Sequence, residues 1–447
     1  MIVRCFRVVL PGLHRGLFRL VRAPISSTYP PPTSKNIMTL ADIDTWEILT
    51  SSFGEQLIRQ MVGQLPLEDD TTEVPQNYRH RLLNAFCEQQ AFWRKRSWPR
   101  FPREATWFWT DTLLQQASDW QTALYKASLI PDDAPIFDLC CGAGVDAVAL
   151  SHSHPVTAID IDPLACYLTQ ANYDWNKLDF NADGTMRPQR SFAVECGDVL
   201  EQLDELHAWV HIDPDRRPDE KRTTSTEWMQ PSLESLIPLL QQCPGGMIKL
   251  APATEVPLPW SERCCRLWVG DRRQCRQQLL IWGLPQFPAG QLGAVSLDAA
   301  CTIIPFLSQS EPFADSTATP DQFVFDFHPS LRASGLSAAF ALSLGIASLG
   351  DVSGYLTGPE PIDHSLVDAY EVLEAISWDE KKVRKMLRDR NIGTLVVKKR
   401  GCKGLDPNKL QLSLPDKRGE LSGILILAEI NKKQMALLVK PCTTGLA

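Results

Sequence analysis

Four acids recur at or near the ends of short apolar runs in the middle of this 447-residue chain. Asp138 lies in the run 136–139, Asp160 ends 156–160, Asp198 follows 191–195 by three residues, and Asp213 follows 209–212. The first run breaks at once into Cys140-Cys141-Gly142-Ala143-Gly144. Glycines let a backbone turn left-handed and approach a ligand closely, and a helix starting behind them offers unpaired N–H groups. In an open α/β sheet, strand, glycine turn and helix in that order hold a nucleotide-like ligand beyond the strand's carboxyl end. Asp160 stands at the distance that suits a ribose hydroxyl. A single acid here would read as a helix cap. Acids at four successive strand ends disfavour a pyrophosphate and suit a ligand that carries positive charge.

The elements that must position these residues follow from the apolar pattern. Helices are expected from 39 to 127, including 78–93 and 112–125. Strands at 136–139, 156–160, 191–195, 209–212 and 247–250 alternate with helical stretches, one of them 228–242. This argues for an α/β fold with a mostly parallel sheet. Three further strands are expected at 267–269, 277–282 and 293–297, the last two as an antiparallel edge. A helix at 334–344 lies in a crossover region. The end of the chain reads as strand 369–376, basic helix 380–390, strand 393–398, and a hairpin of 422–430 with 434–439. The expected organisation is a basic extension (1–38), a helical N-terminal domain (39–128), the α/β domain (129–305), a connecting region (306–366) and a small α+β domain (367–447). The aromatic-rich stretch 101–109 reads as core, or as a wall over the ligand cleft.

Hydrophobic content of 44% and charged content of 22% suit a globular chain that builds cores in two or three domains. No charge-free apolar run is long enough to span a bilayer. The thirteen cysteines are scattered and show no metal-ligand spacing, which points to a reducing, cytoplasmic setting and no metal. Net charge is −8, yet residues 377–442 hold sixteen Lys/Arg against seven Asp/Glu. Such a local excess either faces a polyanion or is a solvated surface. Before Thr39 there are Arg4, Arg7, Arg15, Arg19 and Arg22 and no acid. That pattern fits a disordered extension, an over-extended start or a targeting segment.

The span 137–150 resembles the first motif of class I S-adenosylmethionine-dependent methyltransferases, D-x-G-x-G-x-G. Cys140 replaces its first glycine, ahead of Gly142 and Gly144. Val156-Thr157-Ala158-Ile159-Asp160, Gly197-Asp198 and Asp213-Pro214-Asp215-Arg216-Arg217 resemble the second, third and fourth motifs. A closer resemblance covers nearly all of the chain after Thr39. Phe101-Pro102-Arg103, Asp213–Arg217, FVFDFHPSLRASGL (323–336), Val397-Lys398-Lys399-Arg400-Gly401 and the segment 436–441 are similar to motifs of bacterial THUMP-like-domain methyltransferases. The resemblance implies a Rossmann-like methyltransferase sheet, a helical lead domain and a small THUMP-like α+β domain. It implies S-adenosylmethionine as cofactor, held by Asp138, Cys140, Gly142, Gly144, Asp160, Ile161, Asp198, Val199 and Asp213. It also implies RNA as partner, by likeness to RNA-binding THUMP domains.

Methyl transfer needs alignment more than covalent chemistry. Asp213 is the expected polar group nearest the transfer. Arg216 and Arg217 either orient an RNA phosphate or base edge or pair with Asp215 or Asp219. The fourth motif lacks the aromatic residue that stacks a flipped base in D-P-P-Y enzymes. The strand 247–250 lacks the cysteine of uracil C5-methyltransferases. The basic helix with Lys381, Lys385 and Arg388, and the segment Lys398-Lys399-Arg400, are the expected RNA contacts. Two rivals stand beside this reading. One is an RNA-binding or scaffold protein that keeps the fold without turnover. The other is an NAD(P) or flavin oxidoreductase, because Gly142–Ala147 also satisfies G-x-G-x-x-A.

Overall fold

The computed structural model describes residues 43–63, 78–177, 190–202, 207–215, 226–271, 274–297, 304–309, 315–350, 354–400, 402–416 and 418–442. The extension 1–38, Arg216, Arg217 and Gly401 lie outside the described residues. The chain opens with α1 (Ile43–Thr50), α2 (Ser52–Val62), α3 (Tyr78–Ser97), α4 (Asp111–Gln116) and α5 (Trp120–Ala127). An α/β, Rossmann-like stretch follows: β1 (Ile136–Leu139), α6 (Val145–Ser151), β2 (Val156–Asp160), α7 (Pro163–Asn176), β3 (Phe192–Cys196), α8 (Val199–Gln202), β4 (Trp209–Ile212), α9 (Leu239–Gln242), β5 (Gly246–Leu250) and α10 (Leu258–Arg263). It continues through β6 (Cys265–Asp271), β7 (Gln274–Trp282), β8 (Leu292–Ser296) and β9 (Phe306–Ser308). Then come β10 (Ser316–Thr317), β11 (Phe323–Phe327), α11 (Pro329–Ala333), α12 (Ser337–Ser343), β12 (Ala347–Leu349) and β13 (Leu356–Gly358). The last elements are β14 (Val367–Ser377), α13 (Glu380–Asp389), β15 (Ile392–Arg400), α14 (Pro407–Ser413), β16 (Leu421–Ile430) and β17 (Lys433–Pro441).

The chain divides into two compact units. The first comprises residues up to 127 and 141–197. Its core gathers Trp46, Leu49, Ile58, Phe86, Trp107, Phe108, Trp109, Val148 and Leu168. The aromatic stretch is therefore interior: Trp107 stacks on Trp109, with ring centroids 5.7 Å apart. Among these side chains Arg94 places two N–H groups on Glu55, at 2.9 and 2.7 Å. A two-pronged pair of this kind keeps both charges solvated inside the core. The helix expected over 112–125 is split in two. Arg100 reaches into the break, donating to Leu114 O and Ala117 O and pairing with Asp119. Its guanidinium thus closes the carbonyls that the end of α4 leaves open. In this unit β2 and β3 run parallel, with Asp160 opposite Cys196.

The second unit holds residues 128–140 and 198 onwards. Here the strand order is β1-β4-β5-β7-β6-β8-β9. β1, β4 and β5 are parallel. β7 enters between β5 and β6, antiparallel to both, and β8 lies parallel to β6. The expected antiparallel pairing of the strands at 277–282 and 293–297 is therefore replaced. β6 and β7 are joined too closely for a crossover, so they must pair antiparallel, and β8 takes the other flank of β6. The helix expected at 228–242 reduces to a 3-10 turn at Thr226–Trp228 and to α9. Pro231 and Pro238 lack the N–H that a continuous helix needs.

The residues expected as a connecting region supply strands to a second sheet, of order β10-β12-β13-β11-β14-β17-β16-β15. β14, α13 and β15 form a βαβ crossover, and β16 and β17 fill the gap as a hairpin. One face buries Val324, Tyr355, Tyr370, Ile426, Leu437 and Val439. The other packs Leu395, Val397, Leu425, Leu427 and Leu438 against Val383, Met386 and Leu387 of α13. The sheet curls. β15 is four strands from β11, about 19 Å along a flat sheet, yet Lys398 Nζ lies 3.1 Å from Asp326 Oδ2. Arg400 also pairs with Asp326 and lies over the rings of Tyr355 and Phe327.

Burial pulls the Lys398 ammonium down, but its bond to Tyr370 and the charge of Asp326 outweigh burial and leave its pKa raised. Its stabilisation is therefore fully present below the ordinary lysine pKa of about 10.4 and is lost as pH rises through the raised value. Lys398→Met is expected to cost about 2–3 kcal/mol. Urea titrations of both proteins should show that difference unchanged from pH 7 to 9 and shrinking above the ordinary lysine pKa.

Candidate functional site

In the first unit the glycine turn is held by its main chain. Cys141 N donates to Ile159 O at 3.1 Å, and Gly144 N to Cys141 O at 2.9 Å. Gly142 and Gly144 have φ of +59° and +75°. A Cβ on Gly144 would lie 2.9 Å from Thr169 Cα. Thr169 and Asn172, one turn apart on α7, secure the same segment. Thr169 Oγ1 donates to Gly142 O at 3.0 Å, and Asn172 Nδ2 to Ala143 O at 2.8 Å. Behind it, Lys126 of α5 pairs with Asp146 in the first turn of α6 at 2.6 Å.

Asp160 ends β2 and accepts from Gly142 N at 2.8 Å and from Asp162 N at 3.0 Å. These bonds fix the orientation of the carboxylate at the strand end. Ile161 beside it is 69% exposed, while Asp162 caps α7. An open glycine backbone, an oriented acid and an exposed apolar side chain fit the nucleoside end of S-adenosylmethionine. Cys166 Sγ donates to Asp160 O at 3.3 Å and Cys196 Sγ to Ile161 O at 3.8 Å.

In the second unit Cys140 has φ of +60°. It keeps the left-handed backbone of the glycine it replaces, at a steric cost of about 1–2 kcal/mol. Asp138 lies directly across from His211 in the β1–β4 register, and its Oδ1 is 2.6 Å from His211 Nδ1. Asp138 is 1% exposed. The acid expected to contact a cofactor thus also ties β1 to β4 through a buried pair. Asp198 accepts from Leu200 N at 2.9 Å, at the start of α8, and Val199 is buried.

Asp213 follows β4, and its amide donates to Leu139 O at 3.2 Å, one residue before Cys140. Its Oδ2 accepts from Lys249 Nζ of β5 at 2.5 Å. Lys249 was not among the expected site residues. Its signal in the sequence was a lysine inside the otherwise uncharged run Gly246–Leu250, all of which is buried. Asp215 and Gln230 exchange two main-chain hydrogen bonds of 2.9 Å, returning the chain to the strand end after residues 216–225. Trp228, two residues from that bridge, is 64% exposed.

The expected RNA contacts separate into two groups. Lys381, Lys385 and Arg388 are exposed on α13, opposite its buried Val383, Met386 and Leu387. Lys398 and Arg400 instead point inward to Asp326, and Lys399, on the other face of β15, donates to Leu405 O at 2.7 Å. Alternation along the strand sends neighbours to opposite faces, so this basic triplet is not one continuous phosphate-facing segment. Among the described residues no helix is long and apolar enough to cross a membrane, and no cluster of metal-ligating side chains occurs.

Residues 367–441 match the THUMP domain-like family. An uncharacterized S-adenosylmethionine-dependent methyltransferase of Mycobacterium tuberculosis is 26% identical over 319 residues, covering 69% of this chain and 81% of that protein. A methyltransferase candidate from Porphyromonas gingivalis W83 superposes with a TM-score of 0.68 at 18% identity, over 90% of this chain and 99% of that one. The fold is that of a class I S-adenosylmethionine-dependent methyltransferase with a C-terminal THUMP-like domain.

Two variants test the turn. Gly144→Ala is expected to cost about 3 kcal/mol, from the left-handed backbone and contact with Thr169. Cys140→Gly should gain up to about 1 kcal/mol, the steric relief less the added freedom of the unfolded chain. Chemical denaturation of each reads the difference.

Burial also pushes the thiols of Cys87, Cys166, Cys264, Cys265 and Cys275 up to about 12. They therefore stay protonated at neutral pH. Iodoacetamide at pH 8 is expected to label exposed Cys196 while these five react only in urea, as peptide mass mapping would show.

Proposed function

We propose that the protein is an S-adenosylmethionine-dependent methyltransferase acting on RNA in the cytoplasm. The observation that carries this reading is the glycine turn, whose Gly142 amide is bonded to Asp160. Gly142, Gly144, Asp160 and Ile161 are assigned to the cofactor's nucleoside. Asp160 orients ribose hydroxyls, and Gly144 lets the turn pack closely on Thr169 of α7, where a side chain would clash. When bound, the cofactor supplies an electrophilic methyl group on a sulfonium. Asp213 is assigned to the acceptor.

The RNA assignment is supported by the THUMP domain-like match and by the exposed Lys381, Lys385 and Arg388 on α13 of the matched segment. A helix face with three cations is suited to a phosphate backbone, each neutralised phosphate adding about 0.7–0.9 to the log–log salt slope. Lys398 and Arg400 are assigned to the fold, since their charge is spent on Asp326.

Calorimetry with S-adenosylhomocysteine and with NAD separates the cofactor classes. Binding of the first and not the second is expected, and the reverse would reject the reading. Radiolabel transfer to cellular RNA then separates an enzyme from a scaffold that keeps the fold. A Lys381→Ala, Lys385→Ala, Arg388→Ala triple variant is expected to lower the salt slope of RNA binding by about 2 and to leave S-adenosylhomocysteine affinity unchanged. An unaltered slope would move the RNA surface elsewhere.

A further inference from the structure

The lysine in β5 is difficult to explain by stability. All five residues of that strand are buried, and Lys249 is 4% exposed. Replacing both members of a buried ion pair by apolar residues of the same volume is commonly neutral, so stability alone does not call for the pair. What Lys249 does is fix Asp213. Ile212 and Ile248 are register partners in parallel strands, and Asp213 and Lys249 are the next residues along each. The Asp213 stem is also fixed, because its amide is bonded to Leu139 O. Oδ2 is held at 2.5 Å by the ammonium. The Asp213 side chain is 20% exposed against 5% for Lys249, so the carboxylate is the outward member of the pair. Oδ1 has no hydrogen-bond partner among the described residues.

We propose that Lys249 is a positioning residue: it turns Asp213 Oδ1 toward the methyl acceptor and so selects a nitrogen that carries a proton. This rests on the methyltransferase reading. The pair has no net charge, so the end of β4 presents an oriented hydrogen-bond acceptor rather than an anion that draws any cation. A carboxylate oxygen accepts only, and an N–H pointed at it leaves the nitrogen lone pair directed elsewhere. That lone pair forms the N–C bond as the C–S bond breaks. The bonding pair stays on sulfur, which becomes a neutral thioether. The proton on the now cationic nitrogen passes to Asp213 or to water. A hydroxyl acceptor would need its proton removed first.

Sinefungin tests this without an acceptor substrate, because it carries an amine on carbon where S-adenosylmethionine carries the methyl on sulfur. Calorimetry would compare sinefungin with S-adenosylhomocysteine in four proteins. The wild type is expected to bind sinefungin about ten- to a hundredfold more tightly, the worth of one hydrogen bond to a charged group. Asp213→Asn should bring the two ligands within about threefold. Lys249→Met should remove most of the preference, since nothing then fixes the carboxylate, and Lys249→Arg should restore it. S-Adenosylhomocysteine affinity reports that each variant still folds. Equal binding of both ligands by the wild type overturns the proposal, as does a Lys249→Met protein whose preference is kept or increased, because Lys249 would then only neutralise charge. If the wild type binds neither ligand, the methyltransferase reading itself fails, which is a different outcome.

Discussion

A chain that turns left-handed three times in five residues must be held there, and the region around β1 and β2 is organised to do so. Cys140, Gly142 and Gly144 all have positive φ. The bracing comes from Asp160 on the Gly142 amide, Thr169 on the Gly142 carbonyl and Asn172 on the Ala143 carbonyl. Asn172 also bonds Phe108 through N and O, so the turn is linked through one amide to the aromatic core of the N-terminal helices. The lead domain is thus more than an attachment. Its interior and the turn share a side chain.

A second theme is that charge is spent on geometry. Glu55 with Arg94, Asp146 with Lys126, Asp213 with Lys249 and Asp326 with Lys398 and Arg400 each join segments that are distant in sequence. Burying an ion is expensive unless it is paired, so a buried pair specifies which two segments meet. Asp326 comes from the aromatic-and-proline stretch and Lys398 and Arg400 from the basic triplet. The two motifs noticed separately in the sequence turn out to be one contact.

The sequence exposed what depends on local pattern. Strand ends, the glycine turn and the basic helix were legible because alternation and helical spacing are short-range signals. The acids were legible as a set, but not their separate fates. Asp138 reads like Asp160 in one dimension, and only the register of β1 with β4 shows that it faces His211 in the interior. The insertion of β7 between β5 and β6 was hidden because apolar strands carry no mark of direction. The kinship of β10–β13 with the C-terminal strands was hidden by their shortness, two to five residues each. Lys249 was visible as an anomaly, and its meaning required the strand beside it.

The curled C-terminal sheet closes in an unequal way. Along its length, strands are joined by ladders of main-chain hydrogen bonds, but among the described residues β15 meets β11 through side chains: Lys398 and Arg400 pair with Asp326, and Arg400 lies over Phe327. A ladder is zipped at every residue, whereas this seam rests on a few side chains, with Lys398 also bonded to Asp368 and Tyr370 and Arg400 to Gly354 O. Because α13 packs on β16 and β17 as well as on β15, loss of the Asp326 contacts would loosen the edge strand without freeing the helix.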